Sequence, residues 1–342
     1  MTVPTSPSPL TPERIMQLSF GYTAPLMMEA AVRHHVFDLL DKGAKTLEEL
    51  VAATATSQRG LRALLNGLVG FDLLAKDRSG RYSLTSESAA FLVSGKPGYR
   101  GGIVRHSSTQ LMPKWLQLNE IVRTGRPAQA VNQEDDGAAF FQVFVEDLFP
   151  FNYGSAQALA EALKIGQATQ PISVLDLAAG SGVWSIALAQ ASPQVRVRAV
   201  DWAGVIPATR RTTERCGVAG RYTFVEGDLL SADFGSGHQV ATLGHILHSE
   251  GERRSRELLK KTFAALAPGG TIAIAEWLVN DERTEPALGL MFAVNMLVNT
   301  EEGDTFSFNE IAGWLREAGF VQARTVEVPG PSPLVLAERP AK

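Results

Sequence analysis

The stretch VLDLAAGSGVWS, residues 174–185, decides the fold. An apolar run over residues 172–177 predicts a buried parallel strand, and a Gly-Ser-Gly turn separates it from a helix. Gly180 and Gly182 let the backbone bend sharply and let a ligand lie against it. Free N–H groups at the start of the helix then face the crevice beyond the strand. The stretch therefore predicts a nucleotide-binding turn in an α/β sheet.

Three acids near the ends of successive predicted strands set this turn apart from a dinucleotide-binding one. Asp176 lies inside the first strand, where a diphosphate gains nothing from another negative charge. A ligand that carries an ammonium and a sulfonium does gain from it. Asp201 ends a second strand and can accept ribose hydroxyls, and Asp228 follows a third strand, placed for an adenine amine. This order resembles class I S-adenosylmethionine-dependent methyltransferases, with a nicotinamide enzyme as the alternative.

The resemblance implies S-adenosylmethionine as the cofactor, with S-adenosylhomocysteine as its product. The cofactor is expected to contact the glycine turn, the three acids and the residues that follow two of these acids. One further contact is expected from a ring of the aromatic-rich segment over residues 140–153. The expected contacts are Asp176, Gly180, Gly182, Asp201, Trp202, Asp228, Leu229 and Tyr153. The rings of the aromatic segment form either ordinary core or the walls of a ligand pocket.

The composition is that of an ordinary globular protein. Of 342 residues, 45% are hydrophobic and 20% charged, and the formal net charge is −4. This charge gives no reason to expect nucleic acid or an acidic membrane as a partner. The single cysteine, Cys216, excludes an internal disulfide, and we expect no metal cofactor. Because we find no secretion signal and no apolar run of ~20 residues, we expect a cytoplasmic protein.

Residues 1–100 predict a mainly helical domain that ends in a small hairpin. A capping box begins at Thr46, a further helix covers residues 58–68, and a turn over residues 77–80 joins two short strands. Helices followed by a hairpin are typical of a winged helix, a fold found in DNA-binding proteins. The predicted recognition helix and hairpin carry too few basic residues to neutralise many phosphates. DNA binding is therefore disfavoured, and a cofactor-sensing DNA-binding regulator stays only as the alternative from a different functional class.

The rest of the chain alternates predicted strands and helices. Residues 101–165 predict a helical connector that contributes to the substrate pocket, and residues 166–342 predict the cofactor-binding catalytic domain. The last two strands, over residues 321–328 and 332–338, are expected to form an antiparallel pair. The predicted fold class is α/β, a Rossmann-like doubly wound sheet with a C-terminal antiparallel edge, preceded by a mainly α winged-helix dimerisation domain.

His248 is the candidate general base. It follows the fourth predicted strand of this sheet, residues 239–247, and Glu276 ends the fifth. If these strands are neighbours, the carboxylate can hold one ring nitrogen and leave the other free to take a proton. His245 lies three residues earlier in the strand, so we expect it on the opposite face in a structural role.

A helix over residues 287–299 is apolar nearly all round and is expected to roof the acceptor pocket. Alternatively, and with equal weight, this helix is part of an ordinary dimer interface or domain core. Methionine suits an aromatic ring because its thioether is flexible. The residues expected to contact the acceptor are Met291, Phe292, Asn295, Met296, Phe308 and Trp115.

Together these features resemble the small-molecule O-methyltransferase family of plant phenolic, bacterial natural-product and hydroxyindole enzymes. The resemblance covers nearly the whole chain and implies transfer to a hydroxyl of a small metabolite, expected to be aromatic. It also implies a homodimer through the first domain and no binding to nucleic acid or membrane. The family's Leu-His-Asp-Trp motif is Leu247-His248-Ser249-Glu250 here, and its second acid beside the histidine falls on Phe308. Because these residues differ, C-, N- or S-methylation stays open as the alternative.

Overall fold

The computed structural model describes residues 10–132, 134–330 and 332–341. The chain divides between Thr109 and Gln110 into two compact units. The connector predicted over residues 101–165 is split by this division, and its first part belongs to the N-terminal unit.

The N-terminal unit is mostly helical. Its elements are α1 (Glu13–Ser19), α2 (Thr23–Arg33), α3 (Val36–Asp41), α4 (Leu47–Thr54), α5 (Gln58–Gly70), β1 (Leu74–Lys76), β2 (Tyr82–Leu84), α6 (Ser86–Phe91) and α7 (Gly101–His106). Leu74 pairs with Leu84 in the antiparallel hairpin. The predicted capping box starts α4, because Thr46 and Glu49 each accept the other's backbone N–H. Helices and a hairpin around one core confirm the predicted architecture.

The second unit alternates strands and helices. Its helices are α8 (Met112–Trp115), α9 (Leu118–Thr124), α10 (Glu134–Phe144), α11 (Phe149–Ala162), α12 (Val183–Ala191), α13 (Ile206–Arg215), α14 (Leu247–Ala265), α15 (Ala287–Asn299) and α16 (Phe308–Ala318). Its strands are β3 (Ile172–Leu177), β4 (Val195–Asp201), β5 (Tyr222–Glu226), β6 (His238–Gly244), β7 (Leu266–Ala275), β8 (Val321–Val326) and β9 (Leu334–Glu338).

The strands of the second unit form one seven-stranded sheet in the order β5-β4-β3-β6-β7-β9-β8. The first five strands are parallel, whereas β9 runs antiparallel to β7 and β8 antiparallel to β9. Strand order reverses beside β3, which is where doubly wound sheets open a crevice at their carboxyl edge. The predicted fold class, including the antiparallel C-terminal pair, is confirmed.

Apolar side chains cover both faces of this sheet. Leu175 and Leu177 of β3 pack with α14 and α16, while Val174 packs with α11 and α12 on the other face. Burial on both faces explains why the central strands are continuous apolar runs. The strand ends are therefore held rigidly, and the residues that follow them are positioned by the core.

Among the described helices, none is both long enough and apolar enough to cross a membrane.

Candidate active site

The glycine turn connects β3 to α12. Gly180 and Gly182 have φ values of 55° and 75°, in the left-handed region that glycine adopts without a Cβ penalty. The Thr209 hydroxyl donates to the carbonyl of Gly180 at 2.7 Å. A Cβ on Gly182 would lie 3.2 Å from the side chain of Thr209. The turn is thus held from α13, and the first N–H groups of α12 remain available to a ligand.

Asp201, at the end of β4, fastens the turn from the other side. Its carboxylate accepts the N–H of Gly180 at 2.7 Å and the N–H of Trp202 at 2.7 Å. Burial raises the pKa of Asp201 to about 6, although both hydrogen bonds act to lower it. A carboxylate offers about four acceptor sites, so two remain for ribose hydroxyls. The residues at this strand end therefore fit an adenosyl ligand.

Asp176 does not line the crevice. Its side chain is 1% exposed, and its oxygens accept the hydroxyl of Ser185 and, at 2.6 Å, that of Thr242. Tyr222 donates to Ser185 at 3.0 Å and extends this buried network. Burial is the main reason why the pKa of Asp176 rises to about 6. The expected direct attraction to a charged ligand is corrected: Asp176 joins β3, α12 and β6 behind the turn.

Asp228 follows β5 and is engaged by its neighbours. One of its oxygens accepts the N–H of Leu230 at 2.9 Å, and the other pairs with Arg254 at 2.6 Å. Arg254 also binds Glu250 at 2.5 Å. The side chain of Leu229 is buried in the main core and supports the strand end instead of lining the crevice, which corrects its predicted contact. Asp228 is thus part of an ion-pair network that the sequence pattern did not indicate.

Two aromatic residues predicted at the cofactor lie in different places. Trp202 follows Asp201 and packs against Phe141, with ring centroids 6.2 Å apart. Tyr153, in contrast, donates its hydroxyl to Gln190 at 2.7 Å, in the last turn of α12. The glycine turn lies at the other end of α12, so the prediction for Tyr153 is wrong. The packing of α11 along α12 directs its ring away from the crevice.

His248 and Glu276 form a buried pair. Strands β6 and β7 are neighbours, as their predicted interaction requires, and His248 lies in the first turn of α14. Its Nδ1 is 2.7 Å from Oε2 of Glu276, whose Oε1 accepts the N–H of Leu247 at 2.8 Å. Burial acts to raise the pKa of Glu276, but the attraction and hydrogen bond of His248 outweigh it and hold that pKa below its ordinary value. An ionised Glu276 fixes the ring and leaves Nε2 of His248 for an acceptor.

His245 also belongs to the site, which corrects the prediction of the opposite face. Side chains alternate only along extended backbone, and β6 ends at Gly244, one residue before the φ of 61° at His245. The ring centroid of His245 lies 6.2 Å from that of His248 and 5.9 Å from that of Trp277. Burial lowers the pKa of His245 to about 4, so this ring is neutral at pH 7. Its Nδ1 is buried and has no hydrogen-bond partner among the described residues.

Aromatic rings form the walls around these histidines. Phe292 meets His248 edge-on with centroids 4.9 Å apart, and Trp277 stacks on Phe292 at 5.0 Å. Trp184, in the first turn of α12, lies 6.2 Å from the ring of His245. Such walls suit a flat aromatic molecule. Trp277 and Trp184 were not predicted as site residues, although the first directly follows Glu276 and the second lies in the stretch that decides the fold.

The other predicted acceptor contacts are placed as follows. Trp115 donates its indole N–H to Oδ1 of Asn295 at 3.0 Å, and the Asn299 amide donates to the same oxygen at 3.1 Å. Met296 is buried, and Met291 is 58% exposed. The hydrogen bond to Trp115 therefore ties α8 to α15 and fixes the helix that carries Phe292.

Phe308 begins α16 and packs against the main core. The segment beside His248 comes earlier in the chain, because the N–H of Asp304 donates to the carbonyl of His248 at 3.0 Å. A Cβ on Gly303 would lie 2.5 Å from the same carbonyl oxygen. The backbone of Gly303 and Asp304 thus packs beside the backbone of His248, and the correspondence of Phe308 to the family's second acid stays a prediction.

Comparison with known proteins agrees with this geometry. Residues 115–321 match the O-methyltransferase domain, and residues 16–94 match the O-methyltransferase dimerisation domain. The chain is 30% identical over 335 residues to the tetracenomycin polyketide 8-O-methyltransferase TcmO of Streptomyces glaucescens, an alignment that covers 96% of this chain and 97% of that protein. It is also 30% identical over 331 residues to a 3-hydroxy-5-methyl-1-naphthoate 3-O-methyltransferase of Streptomyces sahachiroi, covering 96% and 94%.

A solved structure of PigF from Serratia, determined with S-adenosylhomocysteine, superposes with a TM-score of 0.82 at 25% identity and covers 96% of this chain and 100% of that one. The similarity thus extends over both units, and this similar structure was determined with the expected product of the cofactor. This protein belongs to the family of S-adenosylmethionine-dependent O-methyltransferases that carry an N-terminal dimerisation domain.

Proposed function

We propose that this enzyme methylates a hydroxyl of a small aromatic molecule and that His248 is its general base. The observation that carries the proposal is the buried His248–Glu276 pair against the ring of Phe292. The names of the polyketide and naphthoate relatives support an aromatic acceptor.

S-adenosylmethionine, when bound, supplies a methyl group on a sulfonium. Asp201 and the first N–H groups of α12 hold the adenosyl part, with Trp202 and Asp228 beside them. His248 accepts the proton of the acceptor hydroxyl at Nε2, and Glu276 stabilises the resulting imidazolium and fixes its orientation. Trp277 and Phe292 exclude water and orient the acceptor ring.

His248→Ala tests the base. We expect cofactor affinity by calorimetry to be unchanged and turnover to fall about 10²–10⁴-fold, measured with methyl-labelled S-adenosylmethionine on a panel of hydroxynaphthoates and N-acetylserotonin. Nuclear magnetic resonance of the product identifies the methylated atom and separates O- from C-, N- or S-methylation. The exposed His34 provides the control variant, His34→Ala. Unchanged turnover would refute the role of His248.

We also propose a homodimer formed through the N-terminal unit. The matched dimerisation domain supports it, and so do large apolar side chains that α1 and its following turn expose. Ile15, Leu18 and Phe20 are 65%, 68% and 55% exposed, which is typical of an association surface when such residues are contiguous. Light scattering should give twice the mass of the chain, and a monomer would contradict the proposal. A cytoplasmic location and the lack of nucleic-acid or membrane partners stay predictions.

A further inference from the structure

Three side chains of the kinds that bind metal ions lie together at the ends of β6 and β7. One potential ligand atom from each of His245, His248 and Glu276 lies within 4.8 Å of the other two. Imidazole and carboxylate together suit zinc and similar divalent ions, whereas magnesium and calcium prefer oxygen ligands alone. Two histidines and one glutamate also leave a fourth position open on a tetrahedral ion.

The cluster contains an atom that lacks a partner. Nδ1 of His245 is buried, and no hydrogen-bond partner reaches it among the described residues. Buried polar atoms are nearly always paired, so this nitrogen has bonding capacity left for a ligand. When the ring carries its proton on Nε2, Nδ1 offers a lone pair to an electron-pair acceptor.

The surroundings of the cluster favour such a ligand. Rings of Trp184, Trp277 and Phe292 pack around the two imidazoles. An apolar shell limits competition from water at a metal site. The His248 side chain keeps 10% of its surface exposed, so the cluster remains open to the crevice.

We propose that His245, His248 and Glu276 form an inhibitory zinc site. The inference rests on the proposed role of His248 as the base. Two bonds from zinc to nitrogen and one to the Glu276 carboxylate replace the hydrogen bond between His248 and Glu276. The proton leaves Nδ1 of His248 and Nε2 takes up a proton from solvent, so the ring stays neutral. Ligand atoms around tetrahedral zinc are about 3.3 Å apart, so the three ligand atoms, which lie within 4.8 Å of one another, draw closer when zinc binds. While zinc is bound, His248 is held by the metal and accepts no proton from an acceptor hydroxyl.

The site is tested by calorimetric titration of the metal-free full-length protein with zinc chloride, with neither cofactor nor acceptor present. We expect one saturable site on each chain. Cobalt(II) in the same site should give the visible absorption of a four-coordinate ion. His245→Asn should weaken zinc binding by at least about 10- to 100-fold, the loss that removal of a group behind a metal ligand already causes. Asparagine keeps the left-handed backbone but removes the imidazole.

His35 offers a matched control, since it also has a left-handed backbone, with φ 55°, and pairs with Asp38. His35→Asn should leave zinc binding unchanged. S-adenosylmethionine affinity, measured on both variants, verifies that each is folded. A site that persists in His245→Asn, a site lost in His35→Asn, or the absence of any saturable site overturns the proposal. Zinc binding needs no acceptor, so this result is independent of the turnover test of His248.

Discussion

Glu276→Gln tests whether the charge beside His248 drives proton removal. Glutamine has the same shape, and its amide oxygen can still accept the N–H of Leu247, now bonded to Glu276 at 2.8 Å. Its NH₂ group would then face Nδ1 of His248, which must accept this hydrogen bond and carry its own proton on Nε2. The ring therefore loses both the charge that stabilises its protonated form and the free nitrogen that receives the proton.

The structure sets the size of this effect. His248 Nδ1 and Glu276 Oε2 are 2.7 Å apart, and the two side chains are 10% and 3% exposed. Unit charges about 4 Å apart interact by about 4 kcal/mol at an effective dielectric constant of about 20. Since about 1.4 kcal/mol corresponds to a tenfold change in rate, we expect methyl transfer to slow by about three orders of magnitude.

Single-turnover transfer of labelled methyl from the pre-bound cofactor measures this directly. The loss should be greatest near neutral pH and smaller at alkaline pH, where a phenolic acceptor ionises without a base. Glu257→Gln removes a half-exposed charge on α14, the helix that carries His248, and should leave the rate unchanged. If the rate of methyl transfer at pH 7 falls less than about tenfold while cofactor affinity stays intact, the proposed role of the Glu276 charge is refuted. Such a small change would mean that proton removal does not depend on that charge.

Three further outcomes are expected. Gly244→Ala places a Cβ 1.9 Å from the indole nitrogen of Trp184, so it should lower the free energy of unfolding by about 1–3 kcal/mol and weaken cofactor binding. Gly220→Ala, at a position with open space around it, should change neither quantity. Equal denaturation midpoints for the two variants would contradict the predicted clash. Tyr153→Phe should leave the calorimetric affinity for S-adenosylmethionine unchanged, and a tenfold loss would return Tyr153 to the cofactor site. The pKa of Asp176 is about 6 in the folded chain against an ordinary 3.8, so the folded chain binds the proton more tightly and this group costs about 3 kcal/mol of stability as pH rises from 4 to 6. The free energy of unfolding of Asp176→Asn, relative to that of the unchanged protein, should therefore increase over this pH range. A difference that stays constant with pH in urea titrations would refute the pKa of Asp176.

The parts of the fold that could be predicted depend on local patterns. The run before Gly180 is apolar because β3 is buried on both faces, and that burial leaves a direct trace in the sequence. The acids at strand ends follow from the rule that parallel strands bring their carboxyl ends to one edge. The neighbour relation of β6 and β7 then brings Glu276 to His248, although they are far apart in the chain.

The parts that could not be predicted depend on single backbone angles or on distant partners. Asp176 and Asp201 are both carboxylates near the carboxyl ends of neighbouring strands, yet Asp176 is enclosed by Ser185 and Thr242 while Asp201 meets the turn. No spacing distinguishes these outcomes, because the hydroxyls come from other elements.

His245 shows the same limit most clearly. A strand pattern assigns its side chain to one face as long as the strand continues, and one left-handed φ at the strand end cancels that assignment. Histidine tolerates this conformation better than most residues, but tolerance alone does not mark where it occurs. The turn is held there by the backbone N–H of His245, which donates to the carbonyl of Ala275 on the neighbouring strand at 2.8 Å. Residues after strand ends are therefore where sequence reasoning loses the direction of side chains, and these are also the positions from which this sheet builds its active site.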